Sequence, residues 1–193
     1  MPTSTHLRHI VDRHANDPSA AHRVAFSMGS EQRTFADVSR NADRVARALE
    51  GLGVVRGDRV AVFMGNRVEW VDILFGATTM GAICVPVNVL LTGSDVNAVF
   101  ADATPKVVVV DALAESPLLA LETLPELVVT VGEVSLPAGV TSVPFADLLT
   151  GSDDPGHWDV GGDDPAMMYY TSGTTGRPKA AMHSHAGILW NTL

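Results

Sequence analysis

A run of four consecutive valines occupies residues 107–110, in the sequence Lys106-Val107-Val108-Val109-Val110. An apolar run of this length predicts a strand that is covered on both faces, as in a parallel sheet between layers of helices. Two similar runs precede it, at residues 59–64 and 83–87, and two follow it, at residues 127–131 and 166–170. Together these runs predict the strands of one sheet.

Helical patterns separate the apolar runs. Thr34-Phe35-Ala36-Asp37 places a hydroxyl residue three positions before an acid, a variant of the capping box that predicts the start of a helix. Apolar residues then recur at helical spacing until Gly51 and Gly53, which predict the end of that helix. Further helices are expected at residues 66–81, 92–101 and 118–124. Strands that alternate with helices predict an α/β fold, with a mostly parallel sheet flanked by helices.

The composition restricts the classes of partner. Among 193 residues, 13 Lys and Arg face 22 Asp and Glu, a formal net charge of −9, which disfavours nucleic acid and anionic lipid surfaces. The uncharged stretch 73–94 contains Gly76, Gly81 and Pro86, so it predicts a helix end and a strand, not a membrane span. The single cysteine, Cys84, lies in an apolar run and predicts a buried thiol in a reducing compartment. With no signal peptide visible, we expect a cytoplasmic protein.

One segment, Thr171-Ser172-Gly173-Thr174-Thr175-Gly176-Arg177-Pro178-Lys179, combines four hydroxyl side chains with two glycines and two cations. Glycines let backbone N–H groups approach an anion closely, and a run of such amides forms a concavity that holds anions. Lys179 would add a mobile positive charge for the outer phosphates. Because the segment follows a predicted strand, where α/β sheets present ligand loops, it predicts a phosphate-binding loop. The alternative is an ordinary surface turn.

Two common nucleotide-binding motifs are excluded. In the Walker motif the second glycine directly precedes the lysine and a Ser or Thr follows it, whereas here Gly176 lies three residues before Lys179 and Ala180 follows. The dinucleotide-binding fingerprint fails at residues 51–53, because they follow a predicted helix and Arg56 occupies the position of the third glycine.

Residues 170–179, YTSGTTGRPK, resemble the phosphate-loop signature of the adenylate-forming enzymes. That superfamily includes acyl- and aryl-CoA synthetases, peptide-synthetase adenylation domains and firefly-type luciferases. Residues 34–35, 53–62 and 81–92 resemble the N-terminal region of the family in the same order. The resemblance implies that residues 1–193 form an incomplete N-terminal domain of an AMP-forming ligase, with the phosphate loop at 170–179 and the α/β fold of that enzyme's large domain.

The resemblance also implies a two-step reaction. A small carboxylic acid attacks the α-phosphorus of ATP, which gives an acyl-adenylate and pyrophosphate, and a thiol, often that of coenzyme A (CoA), then displaces AMP. ATP, Mg²⁺ and CoA are implied for the complete enzyme. The residues that would hold the β- and γ-phosphates are Thr171, Ser172, Gly173, Thr174, Thr175, Gly176 and Lys179. The family's catalytic lysine lies in a C-terminal domain, so no catalytic residue and no metal ligand is assigned within this sequence.

Two features bear on whether the chain acts alone. The family usually has glycine after its lysine, where this chain has Ala180; if that position requires a positive φ, alanine imposes roughly 1 kcal/mol or more of strain. Residues 188–193 predict an apolar helix that leaves surface for a partner to cover. We therefore expect the N-terminal part of an acyl-CoA synthetase-like ligase that is inactive by itself. The alternatives are a piece of a peptide-synthetase adenylation domain, or a non-catalytic remnant that binds a partner or forms a homo-oligomer.

The remaining histidines and acid pairs are expected to have ordinary roles. His183 and His185 would share one face of a strand, a spacing that suits a metal pair, but no third ligand lies nearby in the sequence. Histidines near the N-terminus are expected to be solvated, namely His6, His9 and His14. The acid pairs at residues 153–154 and 163–164 are flanked by Gly and Pro and predict solvated turns.

Overall fold

The structure, a computed structural model, describes residues 6–91, 93–171 and 179–190. Within these residues lie a seven-stranded sheet and a separate two-stranded hairpin near the N-terminus. The strands are β1 (Val24–Met28), β2 (Glu31–Thr34), β3 (Arg59–Phe63), β4 (Ile83–Pro86), β5 (Val107–Val110), β6 (Leu127–Thr130), β7 (Ser142–Pro144), β8 (Pro165–Thr171) and β9 (Lys179–Ser184). The helices are α1 (His9–Ala15), α2 (Phe35–Gly51), α3 (Val68–Thr79), α4 (Ser94–Ala103), α5 (Glu115–Leu119), α6 (Phe145–Leu148) and α7 (His185–Trp190), with a short 3-10 helix at Ala112–Ala114.

The strand order in the large sheet is β7-β6-β5-β3-β4-β8-β9. Neighbouring strands run parallel from β7 to β8, and only the last pair, β8 and β9, is antiparallel. The predicted α/β fold with a mostly parallel sheet flanked by helices is therefore confirmed. No helix among the described residues is long and apolar enough to cross a membrane.

The central strands separate two apolar cores, one on each face of the sheet. Val60 and Val62 of β3 belong to the core that contains buried residues of α2 and α3. Ala61 and Phe63, which alternate with them, belong to the core that contains buried residues of α4. Every residue of β5 is at most 1 % exposed, so the valine run is covered on both faces, as predicted from its unbroken apolar character.

Helix α2 begins at the predicted capping box. The Thr34 hydroxyl oxygen accepts a hydrogen bond from the Asp37 backbone N–H at 3.1 Å, and the Asp37 carboxylate accepts one from the Thr34 backbone N–H at 3.0 Å. Two N–H groups that the helix leaves unpaired thus gain partners. At the other end the helix is followed by Gly53 with φ +85°, a left-handed conformation that glycine adopts without a steric penalty.

Thr34→Ala should lower the free energy of unfolding by about 1 kcal/mol, because the Asp37 N–H loses its side-chain acceptor. Urea denaturation measures this difference. Thr123→Ala, at an exposed threonine, is the matched control and should change the free energy much less. Equal losses in the two variants would contradict the capping role of Thr34.

Several elements differ from the sequence prediction. Helix α3 begins at Val68 after an extended Arg67, two residues later than predicted. Helix α5 ends at Leu119, whereas a helix was predicted over 118–124. The Asp111 carboxylate accepts the Leu113 N–H and starts helical turns earlier in the chain, and a proline at position 125 disfavours helix at the residue before it. The β1–β2 hairpin, β7 and α6 were not predicted, and position 92, the predicted cap of α4, lies outside the described residues.

Candidate phosphate-binding site

The predicted phosphate loop begins and ends on two paired strands. Thr171 is the last residue of β8, Lys179 is the first residue of β9, and the two are directly opposite each other in the antiparallel pair. Opposed residues on antiparallel strands have Cβ atoms about 5 Å apart and side chains on one face. The other candidate residues, Ser172, Gly173, Thr174, Thr175 and Gly176, lie outside the described residues. The structure therefore brings together the two ends of the candidate loop, a hydroxyl and an ammonium group.

The loop leaves the sheet at the edge where parallel strands end. Strand β8 is parallel to β4, with Met167 opposite Cys84, so the chain that follows each strand emerges on the same side. Asn88 lies four residues beyond Cys84, as Thr171 lies four residues beyond Met167. The carboxyl edge of an α/β sheet is where such folds bind ligands. Cys84 itself is fully buried, as predicted, and burial raises the pKa of its thiol.

The strand that precedes the loop is tethered to helix α4. The Tyr170 hydroxyl donates a hydrogen bond of 2.6 Å to the Asp102 carboxylate. Partial burial and this bond to the carboxylate both raise the pKa of Tyr170, so the phenol keeps its proton. On the other face of β8, the Tyr169 ring meets the His183 ring edge-on, with centroids 5.4 Å apart. Contacts on both faces of β8 therefore hold the two residues that precede Thr171.

The alanine that replaces the family's usual glycine lies in an extended strand. Ala180 pairs with Tyr170 in the β8–β9 ladder. Thr104 is the single non-glycine residue with a positive φ in the described part of the chain. Because the position of Ala180 does not require a positive φ, the strain considered from the sequence does not arise.

The two histidines that follow the loop do not share a strand face. Strand β9 contains His183 and ends at Ser184, so that His185 starts α7 and is fully buried. Its Nδ1 accepts a hydrogen bond from the Leu7 backbone N–H at 3.1 Å. Burial, followed by the neighbouring His6, lowers the pKa of His185 to about 4. Across the described ranges, no group of three His, Cys, Asp or Glu side chains is placed to hold a metal ion.

The prediction that His6 is solvated was wrong. Its ring stacks on that of His185, with centroids 4.2 Å apart and an interplanar angle of 28°. Burial lowers the pKa of His6 as well. The contact joins positions 6 and 185, and no local pattern in the sequence signals so distant a pairing.

The buried His185 and the half-buried His6 contribute to the pH dependence of stability. Between pH 6.5 and pH 4 the unfolded chain binds a proton at His185 and the folded chain does not, so the contribution of His185 to the free energy of unfolding should fall as the pH drops through that window. His6 contributes with the same sign. Asp72, whose pKa burial raises to about 6, contributes with the opposite sign. The other ionisable groups near the pair are Arg8, His9, Asp12 and Asp164. Chemical denaturation at a series of pH values measures the slope.

His185→Asn keeps an acceptor near the position of Nδ1 but does not titrate, so its free energy of unfolding should fall less than that of the wild-type chain as the pH drops from 6.5 to 4. His22→Asn, at an exposed histidine, is the control and should leave the slope unchanged. The same slope in His185→Asn and the wild-type chain would contradict the role given to His185.

The acid pairs match the prediction of solvated turns only in part. Asp163 is exposed in a turn, and Asp153 and Asp154 are exposed in irregular chain. Asp164 is half-buried, and its carboxylate lies 2.5 Å from Nη2 of Arg56.

All four acids are close in sequence and belong to a segment, residues 153–164, that crosses α2 and leads into β8; we call it the strap. Asp153 pairs with Arg44 of α2 at 3.4 Å, and the Trp158 indole N–H donates to Glu50 of α2 at 3.0 Å. The strap thus fixes where β8 enters the sheet.

A groove lies at the amino edge of the sheet, opposite the edge from which the candidate loop leaves. Its volume is about 350 Å³, and it is lined by residues that include Asn97, Phe100, Pro105, Leu124 and Glu126. Pro105 and Glu126 precede β5 and β6, which places this groove at the amino ends of the parallel strands. It is therefore remote from the candidate phosphate loop at the carboxyl edge.

Known proteins are similar to this chain in sequence. A family model described as AMP-binding enzyme matches residues 11–193. The long-chain-fatty-acid–CoA ligase FadD13 of Mycobacterium tuberculosis (strain ATCC 25618 / H37Rv) is 34% identical over 161 residues, which cover 80% of this chain and 30% of that protein. The feruloyl-CoA synthase of Amycolatopsis sp is 35% identical over 173 residues, which cover 89% of this chain and 32% of that protein.

A solved structure is similar to this chain in fold. The anthranilate CoA ligase AuaEII, in complex with anthranoyl-AMP, matches with a TM-score of 0.82 and 31% identity, over 96% of this chain and 36% of that one. The chain spans about a third of the length of these three relatives.

Proposed function

The chain belongs to the family of AMP-binding enzymes, and we propose that it supplies the ATP-phosphate-binding part of a ligase that joins a carboxylic acid to coenzyme A. The observation that carries this proposal is the pairing of Thr171 with Lys179 at the carboxyl edge of the sheet. The names of the relatives support the reaction class, since each of the three is a CoA ligase or CoA synthase. Residues 1–193 would act as the N-terminal part of the ligase domain.

The reaction proceeds in two displacements. A carboxylate oxygen forms a bond to the α-phosphorus of ATP, the bond from that phosphorus to the oxygen bridging to the β-phosphorus breaks, and pyrophosphate leaves. The sulfur of the CoA thiol then forms a bond to the acyl carbon, AMP leaves and the thiol proton is released. Negative charge grows on the pyrophosphate during the first displacement. A cation fixed beside that group stabilises the transition state more than the ground state.

The residues proposed to hold the β- and γ-phosphates are Thr171, Ser172, Gly173, Thr174, Thr175, Gly176 and Lys179. Hydroxyl groups and backbone N–H groups donate hydrogen bonds to phosphate oxygens, and the Lys179 ammonium supplies a point charge. Mg²⁺ would arrive with ATP, as a counter-ion to its phosphates. The described residues bring together no acidic cluster for it, so we assign it no protein ligand in this chain.

Exchange of labelled pyrophosphate into ATP tests the proposal. The assay is run on the 193-residue chain and on the longest natural polypeptide that contains it, with panels of aliphatic and aromatic carboxylic acids. We expect acid-dependent exchange from the longer polypeptide and none from the 193-residue chain alone. Acid-independent exchange, or no exchange from either polypeptide, would contradict the ligase assignment.

The acceptor is identified in the same preparation. Formation of an acyl-CoA thioester from the acid, ATP and CoA is the expected outcome. If exchange occurs but CoA is not acylated, and a carrier-protein thiol is acylated instead, the chain is part of a peptide-synthetase adenylation domain.

A further inference from the structure

We propose that His185 and the N-terminal segment 6–8 form a strut that positions Lys179 for phosphate binding. This inference rests on the proposed function, because it assigns a role to residues around the same loop. The strut is defined as His6, Leu7 and Arg8 together with His185. It is a positioning device: none of the four residues belongs to the candidate loop, and their effect on phosphate passes through β9.

Strand β9 needs support from outside the sheet. It is the last strand of the sheet in the part of the chain that the structure describes, and it pairs there with β8 alone. Residues from Lys179 to Met182 are exposed, so little apolar burial holds this half of the strand in place. An edge strand with few buried side chains has a weakly specified register. The position of Lys179 therefore depends on how the far end of β9 is anchored.

That far end is anchored at three points. The His185 backbone N–H donates to the Asp164 carbonyl at 3.1 Å, and the Ala186 backbone N–H donates to the Gly162 carbonyl at 2.8 Å. The Leu7 backbone N–H donates to His185 Nδ1 at 3.1 Å. The strap therefore holds the backbone at the start of α7, and the N-terminal segment holds the His185 imidazole.

The N-terminal segment is itself fixed to helix α2. The Arg8 guanidinium forms a two-pronged ion pair with the Asp43 carboxylate, with Nη2 at 2.7 Å from Oδ2, and Nη2 also donates to the Ser39 carbonyl at 3.2 Å. Asp43 is buried, and paired charges with this planar geometry hold orientation as well as distance. A continuous set of contacts therefore runs from α2 through Arg8 and Leu7 to His185.

The register of the β8–β9 pair depends on this anchor. The β8–β9 ladder has an irregularity between Pro165 and Met167, where an extra residue of β8 lies opposite one step of β9. Beyond such a bulge, the pairing depends on where each strand enters the ladder. A slip of one residue would move Lys179 from opposite Thr171 to the other face of the strand. Because His185 directly follows the last residue of β9, at the same end of the ladder as the bulge, holding its ring fixes where the chain leaves the ladder.

The imidazole is present despite an energetic disadvantage. Nδ1 accepts the Leu7 N–H, so the proton lies on Nε2, and Nε2 is buried without a hydrogen-bond partner. An unpaired buried N–H destabilises a fold, whereas an apolar side chain of similar size would avoid that cost. Leucine at this position would remove the unpaired Nε2–H but would leave the buried Leu7 N–H without its acceptor. The acceptor at Nδ1 is the property that leucine lacks.

Two substitutions separate the acceptor from the packing. His185→Leu removes the acceptor and keeps the volume, whereas His185→Asn keeps an acceptor near the position of Nδ1. His22→Leu, the same change at an exposed histidine outside β8, β9 and the strut, is the control. The probes are magnesium pyrophosphate, titrated into the 193-residue chain, and amide hydrogen exchange read residue by residue by NMR.

We expect His185→Leu to weaken pyrophosphate binding roughly tenfold and to speed exchange of the β9 amides by a similar factor, the size of one lost buried hydrogen bond. Exchange of the β3 and β5 amides should not change, His185→Asn should recover most of both losses, and His22→Leu should have little effect. In a Lys179→Ala background, His185→Leu should have no further effect on pyrophosphate binding, because the strut acts through Lys179.

The outcomes distinguish this inference from the proposed function. If Lys179→Ala binds pyrophosphate as the wild-type chain does, the proposed function fails, and the β9 exchange rates still decide whether the strut holds the strand. If Lys179→Ala loses binding but His185→Leu retains both binding and β9 protection, the strut is overturned. A uniform increase of exchange in β3, β5 and β9 overturns it as well, since His185 would then support the whole fold and not β9.

Discussion

Replacing Lys179 with alanine should weaken binding of magnesium pyrophosphate by roughly tenfold to a hundredfold, the range expected for the loss of one charge-assisted hydrogen bond. Lys179, which carries the ammonium group, is the first residue of β9 and lies directly opposite Thr171. The paired strands hold the two ends of the loop at this point. Pyrophosphate carries the charge that the group is proposed to stabilise. Isothermal titration calorimetry on the wild-type and variant chains measures the ratio of dissociation constants.

Lys106→Ala provides the matched control. Lys106 precedes β5 at the amino edge of the sheet and donates to the Gly53 carbonyl at 2.7 Å. Its removal deletes the same charge from the chain, far from the loop. The two variants should therefore differ in pyrophosphate affinity. Equal affinities would mean that net charge, and not position, governs binding.

Gly76→Ala should lower the free energy of unfolding by about 3 kcal/mol, because helices α2 and α3 approach too closely for a side chain there. A Cβ atom at Gly76 would lie 2.4 Å from Val45 Cγ1 and 2.5 Å from Val45 Cβ, well inside van der Waals contact. The gain in helix propensity from Gly to Ala, about 1 kcal/mol, is too small to offset this overlap. Urea denaturation measures the difference.

Two further variants test the cause. Gly51→Ala changes a glycine of α2 that has open space around it, and it should be neutral or slightly stabilising. Val45→Ala combined with Gly76→Ala removes Val45 Cγ1 and leaves Cβ, so the two substitutions together should cost less than the sum of their separate losses. A Gly76→Ala variant as stable as the wild-type chain would contradict the close packing of α2 on α3.

The sequence predicts those elements of the fold that are specified by neighbouring residues. Four valines in a row specify a strand covered on both faces, and Thr34 with Asp37 specifies a helix start within four residues. The signature at residues 170–179 is also local, since it consists of consecutive residues, and its role in phosphate binding stays a prediction.

No local sequence pattern predicts strand β9 or the burial of His185. Residues 179–184, KAAMHS, lack β-branched side chains and any apolar alternation, so pairing with β8 and not local propensity makes them a strand. The contact of His185 with Leu7 spans 178 positions. Such contacts depend on the arrangement of the whole sheet, which a single sequence does not reveal.

The most direct test of the account is an NMR titration of the 193-residue chain with magnesium ATP, which detects binding even at millimolar affinity. Amide resonances should shift at residues 171–179 and at Tyr170 and Asn88, with no comparable change around the groove of Asn97 and Glu126. Shifts confined to that groove, or no shift at residues 171–179 at saturating ATP, would contradict it.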